Sequence, residues 1–128
     1  MKRVELEEDL QIDLTFLKEL SGESNDLIVE IIELFKLTGP QSLAQIQLAI
    51  GTHDLDQLKK AAHKMKSSVQ FFGNEKINTV LTQLEYINHG GNHFTHDHLE
   101  ELASRLEQLV AKLLYLLDVE LLLLNKVS

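Results

Sequence analysis

Apolar residues recur along most of this chain at spacings of three and four, the period of a helix buried on one face. From about Leu6 to Leu20 the apolar positions are Leu6, Leu10, Leu14, Leu17 and Leu20, and Ser21-Gly22 ends the run. Ser24 or Asn25 then caps a second helix through Leu27, Ile28, Ile31, Ile32 and Phe35 and on to Leu43, Ile46 and Ile50. Gly39-Pro40 interrupts it. A proline inside a helix removes a backbone hydrogen bond and crowds the preceding turn, so a kink or a break is expected there. Gly51-Thr52-His53-Asp54 ends this element and caps a third helix, which should stop at Gly73. Asn74 caps a fourth helix carrying Ile77, Val80, Leu81, Leu84 and Ile87, and Asn88-His89-Gly90-Gly91-Asn92 reads as a loop. From Asp97 a fifth helix sets Leu99, Leu102, Leu106, Leu109, Leu113 and Leu116 in a narrow seam. Strand signals are almost absent. The expected fold is all-α, an antiparallel four-helix bundle with an additional N-terminal helix laid across it.

At 128 residues the chain is expected to form one domain, with its bundle core at about residues 24–124. It has no cysteine, which excludes a disulfide framework and a thiolate zinc site. The formal net charge of −8 argues against non-specific binding to nucleic acid, because most of the surface would repel a polyanion. The start, Met1-Lys2-Arg3-Val4-Glu5-Leu6-Glu7-Glu8-Asp9, turns acidic where a secretory signal would turn apolar. A cytoplasmic, stand-alone protein is the expectation. The apolar run from Leu113 to Leu124 is broken by Asp118 and Glu120 and is too short for the roughly 20 apolar residues of a bilayer span, so no membrane insertion is expected. Two readings of it stay open: packing on the N-terminal helix, or a contact to a partner or to a second copy in a homodimer.

Chemistry concentrates in the third helix. At about 100° per residue, Lys59, Lys60, Lys66, Ser67 and Gln70 fall within roughly 60° of His63, while Leu58, Ala61, Met65, Ser68, Val69 and Phe72 fall opposite. The helix should bury the apolar stripe and hold one imidazole out to solvent among ammonium groups, in a chain that is otherwise acidic. Such a histidine is a candidate nucleophile for an anionic group. The plainer reading makes His63 a surface residue, Ser67 and Gln70 solvated polar groups, Lys66 a charge paired with Asp56 or Glu75, and Gly73 a device for ending the helix tightly.

The run Ala62-His63-Lys64-Met65-Lys66-Ser67-Ser68, with Gly73 ten positions after the histidine, resembles the histidine-containing phosphotransfer (HPt) domain family. The helix order resembles it too, from roughly Asp13 to Leu117. Ser67 stands where the family often has glycine and Val69 at another usually small position. Ser67 is still small enough to let a partner approach, and Val69 faces inward. The resemblance implies that His63 accepts a phosphoryl group through its distal ring nitrogen, taking it from the receiver domain of a hybrid sensor kinase and passing it to a downstream response regulator. Lys66 would offset charge on the phosphoryl oxygens, and Ser67 and Gln70 would donate hydrogen bonds. Lys59, Lys60 and Lys64, with Gly73, would belong to the receiver-facing surface, the lysines steering an acidic partner. The domain would be a phosphocarrier rather than an enzyme, with no cofactor of its own and magnesium supplied by the receiver.

Two other readings compete. A helical interaction or scaffold module would keep all its properties in a His63→Ala variant. A metal-binding protein would use the loop from His89 to His98, where His89, His93, His96, Asp97 and His98 lie close together in sequence. No nucleophile triad, paired carboxylates or phosphate-cradling glycine loop supports an enzyme with its own chemistry.

Overall fold

The computed structural model describes residues 10–87 and 95–127. Five helices make up the described fold: α1 (Thr15–Leu20), α2 (Asn25–Gly51), α3 (Leu55–Val69), α4 (Glu75–Glu85) and α5 (His96–Val127). A 3₁₀ turn over Gln70–Phe72 extends α3. Helices α2 to α5 form the bundle, α2 packing on α3 and α5, and α4 on α3 and α5. The pairings are antiparallel. Lys36 meets Asp118 near one end of the α2–α5 pair, and the rings of His53 and His96 meet at the other.

The caps follow the sequence. Ser24 Oγ accepts from the Leu27 amide, Asp54 Oδ1 from that of Gln57, and Asn74 Oδ1 from that of Ile77, each satisfying an otherwise unpaired donor of a first helical turn. Inside the bundle, Ile32, Ile46, Leu58, Ala62, Ile77, Leu81, Leu84, Leu106, Leu113 and Leu117 are fully buried, each large side chain worth about 1.5–3 kcal/mol.

Of the kink or break expected at Pro40, the break does not occur: α2 runs as one helix through it. Both flanks of the proline are buried, Phe35 on one side and Ile46, Ala49 and Ile50 on the other. Packing of that length outweighs the roughly 3 kcal/mol that proline costs inside a helix. The neighbouring Gly39 has its own reason: a Cβ there would stand 2.9 Å from Cζ of Phe35, whose ring packs edge-on against Phe72 at 5.2 Å.

The N-terminal element is shorter than its leucine spacing predicts. Residues 10–14 are not helical, and α1 begins only at Thr15. Tertiary hydrogen bonds hold the segment in a non-helical path. The Asp13 amide donates to the Phe72 carbonyl at 2.9 Å, and Asn74 Nδ2 donates to the Gln11 carbonyl at 3.0 Å. Asp13 Oδ1 then accepts from the Thr15 amide, which starts α1. Leu10, Leu14 and Leu17 are buried as expected, but Leu20 is exposed, and Leu6 lies outside the described residues. The described contacts of α1 are chiefly with the 3₁₀ turn, where Phe16 stacks on Phe71.

Helix α5 continues to Val127, so the apolar C-terminal run is helical. Leu113, Leu117 and Leu121 face inward, while Tyr115, Leu122 and Leu123 are exposed. No helix among the described residues is long and apolar enough to cross a membrane. The loop expected at residues 88–92 lies outside the described residues.

Candidate functional site

Helix α3 presents the faces that its sequence predicts. Leu58, Ala61, Met65, Val69 and Phe72 are buried, Ser68 is half-buried, and the His63 side chain is 68% exposed. Lys59, Lys60, Lys64 and Tyr86 surround it in a shallow open groove of about 400 Å³ floored in part by Glu85.

Antiparallel packing of α3 on α4 brings Glu85 beneath the imidazole. His63 Nδ1 lies 2.6 Å from Glu85 Oε2, and Lys66 Nζ donates to Glu85 Oε1 at 2.8 Å and to Thr82 Oγ1 at 3.3 Å. The Lys66 ammonium also sits 5.6 Å from the centre of the Tyr86 ring. A carboxylate only accepts hydrogen bonds, so its contact with a neutral imidazole places the proton on Nδ1 and leaves the Nε2 lone pair free. Lys66 fixes the other oxygen, so the carboxylate is clamped between cation and ring.

Those contacts hold the Glu85 carboxyl below its ordinary pKa: the hydrogen bond from Lys66 is the largest cause, and the contact with His63 adds to it against the opposing effect of burial. The sign follows. A carboxyl with a depressed folded pKa stabilises the fold above its unfolded value, about 4.3, and loses that contribution as pH falls through the folded value. Urea midpoints of the parent and a Glu85→Gln variant should therefore differ most near neutrality and converge below about pH 4. A difference that stays constant from pH 7 to pH 3 would show that Glu85 does not titrate with folding.

The remaining expected residues divide. Lys66 is joined to His63 through Glu85, and its carboxylate partner is Glu85 rather than Asp56 or Glu75. Lys59, Lys60 and Lys64 line the groove. Ser67 turns its hydroxyl to the His63 carbonyl of its own helix at 3.3 Å, away from the ring, and Gln70 is exposed in the 3₁₀ turn. Gly73 lies outside the groove, at the turn into α4, in the left-handed conformation at φ +62° and against Asp13. The residue pattern of α3 does not point to Glu85, Thr82 or Tyr86, which follow the turn after it.

Of the histidines expected to bind metal, His89 and His93 lie outside the described residues. His96 and His98 sit on the first turn of α5, next to Glu100 and Glu101 respectively. Among the described residues no three His, Cys, Asp or Glu side chains gather in a metal-binding arrangement.

The bundle thus presents His63 to solvent, oriented from below by a carboxylate and ringed by lysines. The family model described as Hpt domain matches residues 30–114, more than half of the chain and spanning α2 to the middle of α5, and the chain belongs to that family. No curated protein and no solved structure gave a match. Hpt domains are phosphocarriers of two-component phosphorelays and interact with receiver domains.

Proposed function

We propose that this chain relays a phosphoryl group between receiver-domain aspartates through His63 Nε2, in a single helical domain whose core spans about residues 24–124. The observation that carries the reading is the contact of Glu85 with Nδ1, which directs the free lone pair to the distal nitrogen. In the forward step Nε2 attacks phosphorus, the P–Nε2 bond forms, the acyl-phosphate P–O bond breaks, and the donor aspartate leaves as a carboxylate. The ring becomes cationic while keeping its Nδ1 proton, and Glu85 beside that proton stabilises the developing charge. In the second step an aspartate carboxylate of another receiver attacks phosphorus and Nε2 leaves with its lone pair restored.

On this reading Lys66 acts mainly by holding Glu85, and any contact to phosphoryl oxygens requires its ammonium to leave that carboxylate. Lys59, Lys60 and Lys64 attract the acidic face of a receiver, which raises the encounter rate more than the affinity. Ser67 and Gln70 continue the surface along α3 that the receiver covers, and Gly73 shapes the turn at its end. Magnesium belongs to the receiver, the donor is the receiver domain of a hybrid sensor kinase, and the acceptor is a response regulator. The net charge of −8 and the lack of a membrane-length apolar helix among the described residues suit a cytoplasmic carrier that does not bind nucleic acid. Exposed Tyr115, Leu122 and Leu123 suit a homodimer contact along α5.

The test is transfer from a panel of phosphorylated receiver domains to the parent chain and to His63→Gln. Acid-labile label on the parent and none on the variant is the expected result. If no receiver transfers, and a small-molecule phosphoramidate also leaves His63 unmodified, the relay reading fails and the scaffold reading replaces it.

A further inference from the structure

A second pair of imidazoles lies at the other end of α3 from the 3₁₀ turn. His53 sits in the turn between α2 and α3, in the left-handed conformation at φ 59°, and His96 is the first residue of α5. Their ring centres are 4.7 Å apart and the rings are tilted by 42°. Ile50, Leu55 and Leu99 complete the walls of a small cavity around them.

The two nitrogens of His96 are treated differently. Nε2 lies 3.0 Å from Glu100 Oε2, so in the neutral ring it carries the proton and donates to that carboxylate. Nδ1 is therefore the lone-pair nitrogen, and it is buried without a hydrogen-bond partner among the described residues. A buried acceptor left unpaired keeps its full desolvation cost, so this arrangement favours anything that can take the lone pair. A carboxylate on one imidazole nitrogen with the other nitrogen free is also the pattern that orients metal-bound histidines and raises their basicity. The ring spacing agrees. Two imidazoles bound to one ion through nitrogens about 2.1 Å from it put their centres roughly 4.5–5.2 Å apart.

We propose that His53 and His96 form a two-imidazole site for a divalent transition-metal ion, joining the α2–α3 turn to the N-terminal end of α5. Nitrogen ligands without thiolate suit zinc, nickel or copper(II) rather than calcium or magnesium. No third protein ligand gathers there among the described residues, so water completes the coordination. The site does not depend on the phosphotransfer reading, because it shares no residue with the groove around His63. Binding to the folded chain alone would raise its stability by mass action and clamp two turns that are far apart in sequence.

The test is calorimetric titration of the unphosphorylated chain with nickel chloride and, separately, zinc chloride. His53→Asn removes the imidazole while tolerating the left-handed backbone, and His96→Ala removes the other. One equivalent should bind the parent, with affinity at least tenfold lower in each variant and a smaller loss in Glu100→Gln. A His89→Ala/His93→Ala variant should bind as the parent does. Helical circular dichroism of the metal-free variants separates lost binding from lost folding. The proposal is overturned by an absence of saturable binding, by unchanged affinity in folded His53→Asn and His96→Ala, or by a loss confined to the His89→Ala/His93→Ala variant.

Discussion

Glu85→Gln is expected to slow phosphoryl transfer to His63 on the order of a hundredfold or more, and Glu85→Ala only about tenfold. The order is the informative part. In the parent, Glu85 Oε1 accepts from Lys66 and Oε2 faces His63 Nδ1. With glutamine in place, the Lys66 ammonium holds the amide carbonyl, which turns the NH₂ group toward Nδ1. An NH₂ group donates, so the favoured tautomer carries its proton on Nε2 and the nucleophilic lone pair is lost from the distal nitrogen. Alanine removes orientation and charge stabilisation but leaves both tautomers accessible. Removing the ammonium as well, in Lys66→Met/Glu85→Gln, lets the amide turn over and should restore part of the rate. Single-turnover transfer from a phosphorylated receiver measures the rates, and ¹⁵N shifts of His63 report the tautomer. A Glu85→Gln rate equal to or above that of Glu85→Ala would sink the tautomer argument.

Glu85 was hidden in the sequence for a geometric reason. The helical wheel that exposes His63, Lys66 and Ser67 ranks neighbours on one helix, whereas Glu85 lies twenty-two residues away on the next. Its place is nevertheless encoded in the hairpin. His63 stands eleven residues before Asn74 and Glu85 eleven after it, and Lys66 and Thr82 stand eight before and eight after. Two antiparallel helices joined by a tight turn at Gly73-Asn74 bring residues equidistant from that turn face to face. The Ser67 hydroxyl, by contrast, was placed correctly by angle but not by direction. It bonds back to its own helix, as serine side chains in helices often do. Helix identity and the places of the three caps are legible because they depend on local chemistry, with Asn74 singled out and Ser24 and Asp54 each narrowed to a short run. The continuity of α2 through Pro40 and the non-helical segment at residues 10–14 are not, because packing on both flanks of the proline and hydrogen bonds to Phe72 and Asn74 override local preference there.

That segment leads to the largest expected loss of stability, at Gly73. Its φ of +62° places it in the left-handed region, where any other L-residue except asparagine or aspartate costs about 1–2 kcal/mol. A Cβ there would also lie 2.8 Å from the Asp13 Cβ and 3.0 Å from the Asp13 carbonyl oxygen. One of those atoms is backbone, held by the Asp13–Phe72 hydrogen bond, so relief requires the segment to move. Moving it strains the Asn74–Gln11 bond and lifts Leu10 and Leu14 from their buried positions. Gly73→Ala should therefore destabilise the chain by about 2–4 kcal/mol, a fall in Tm of roughly 8–15 °C. Gly22→Ala is the matched control: φ is +65°, but nothing lies within 4 Å of the added Cβ, so only the backbone cost of about 1–2 kcal/mol remains. The difference between the two variants isolates the contact with Asp13, and equal losses would mean that residues 10–14 yield freely. Transfer to His63 at a temperature where Gly73→Ala is folded should match the parent if Gly73 only shapes the turn, since it lies outside the groove. A slower rate with unchanged folding would place Gly73 on the surface that the receiver touches.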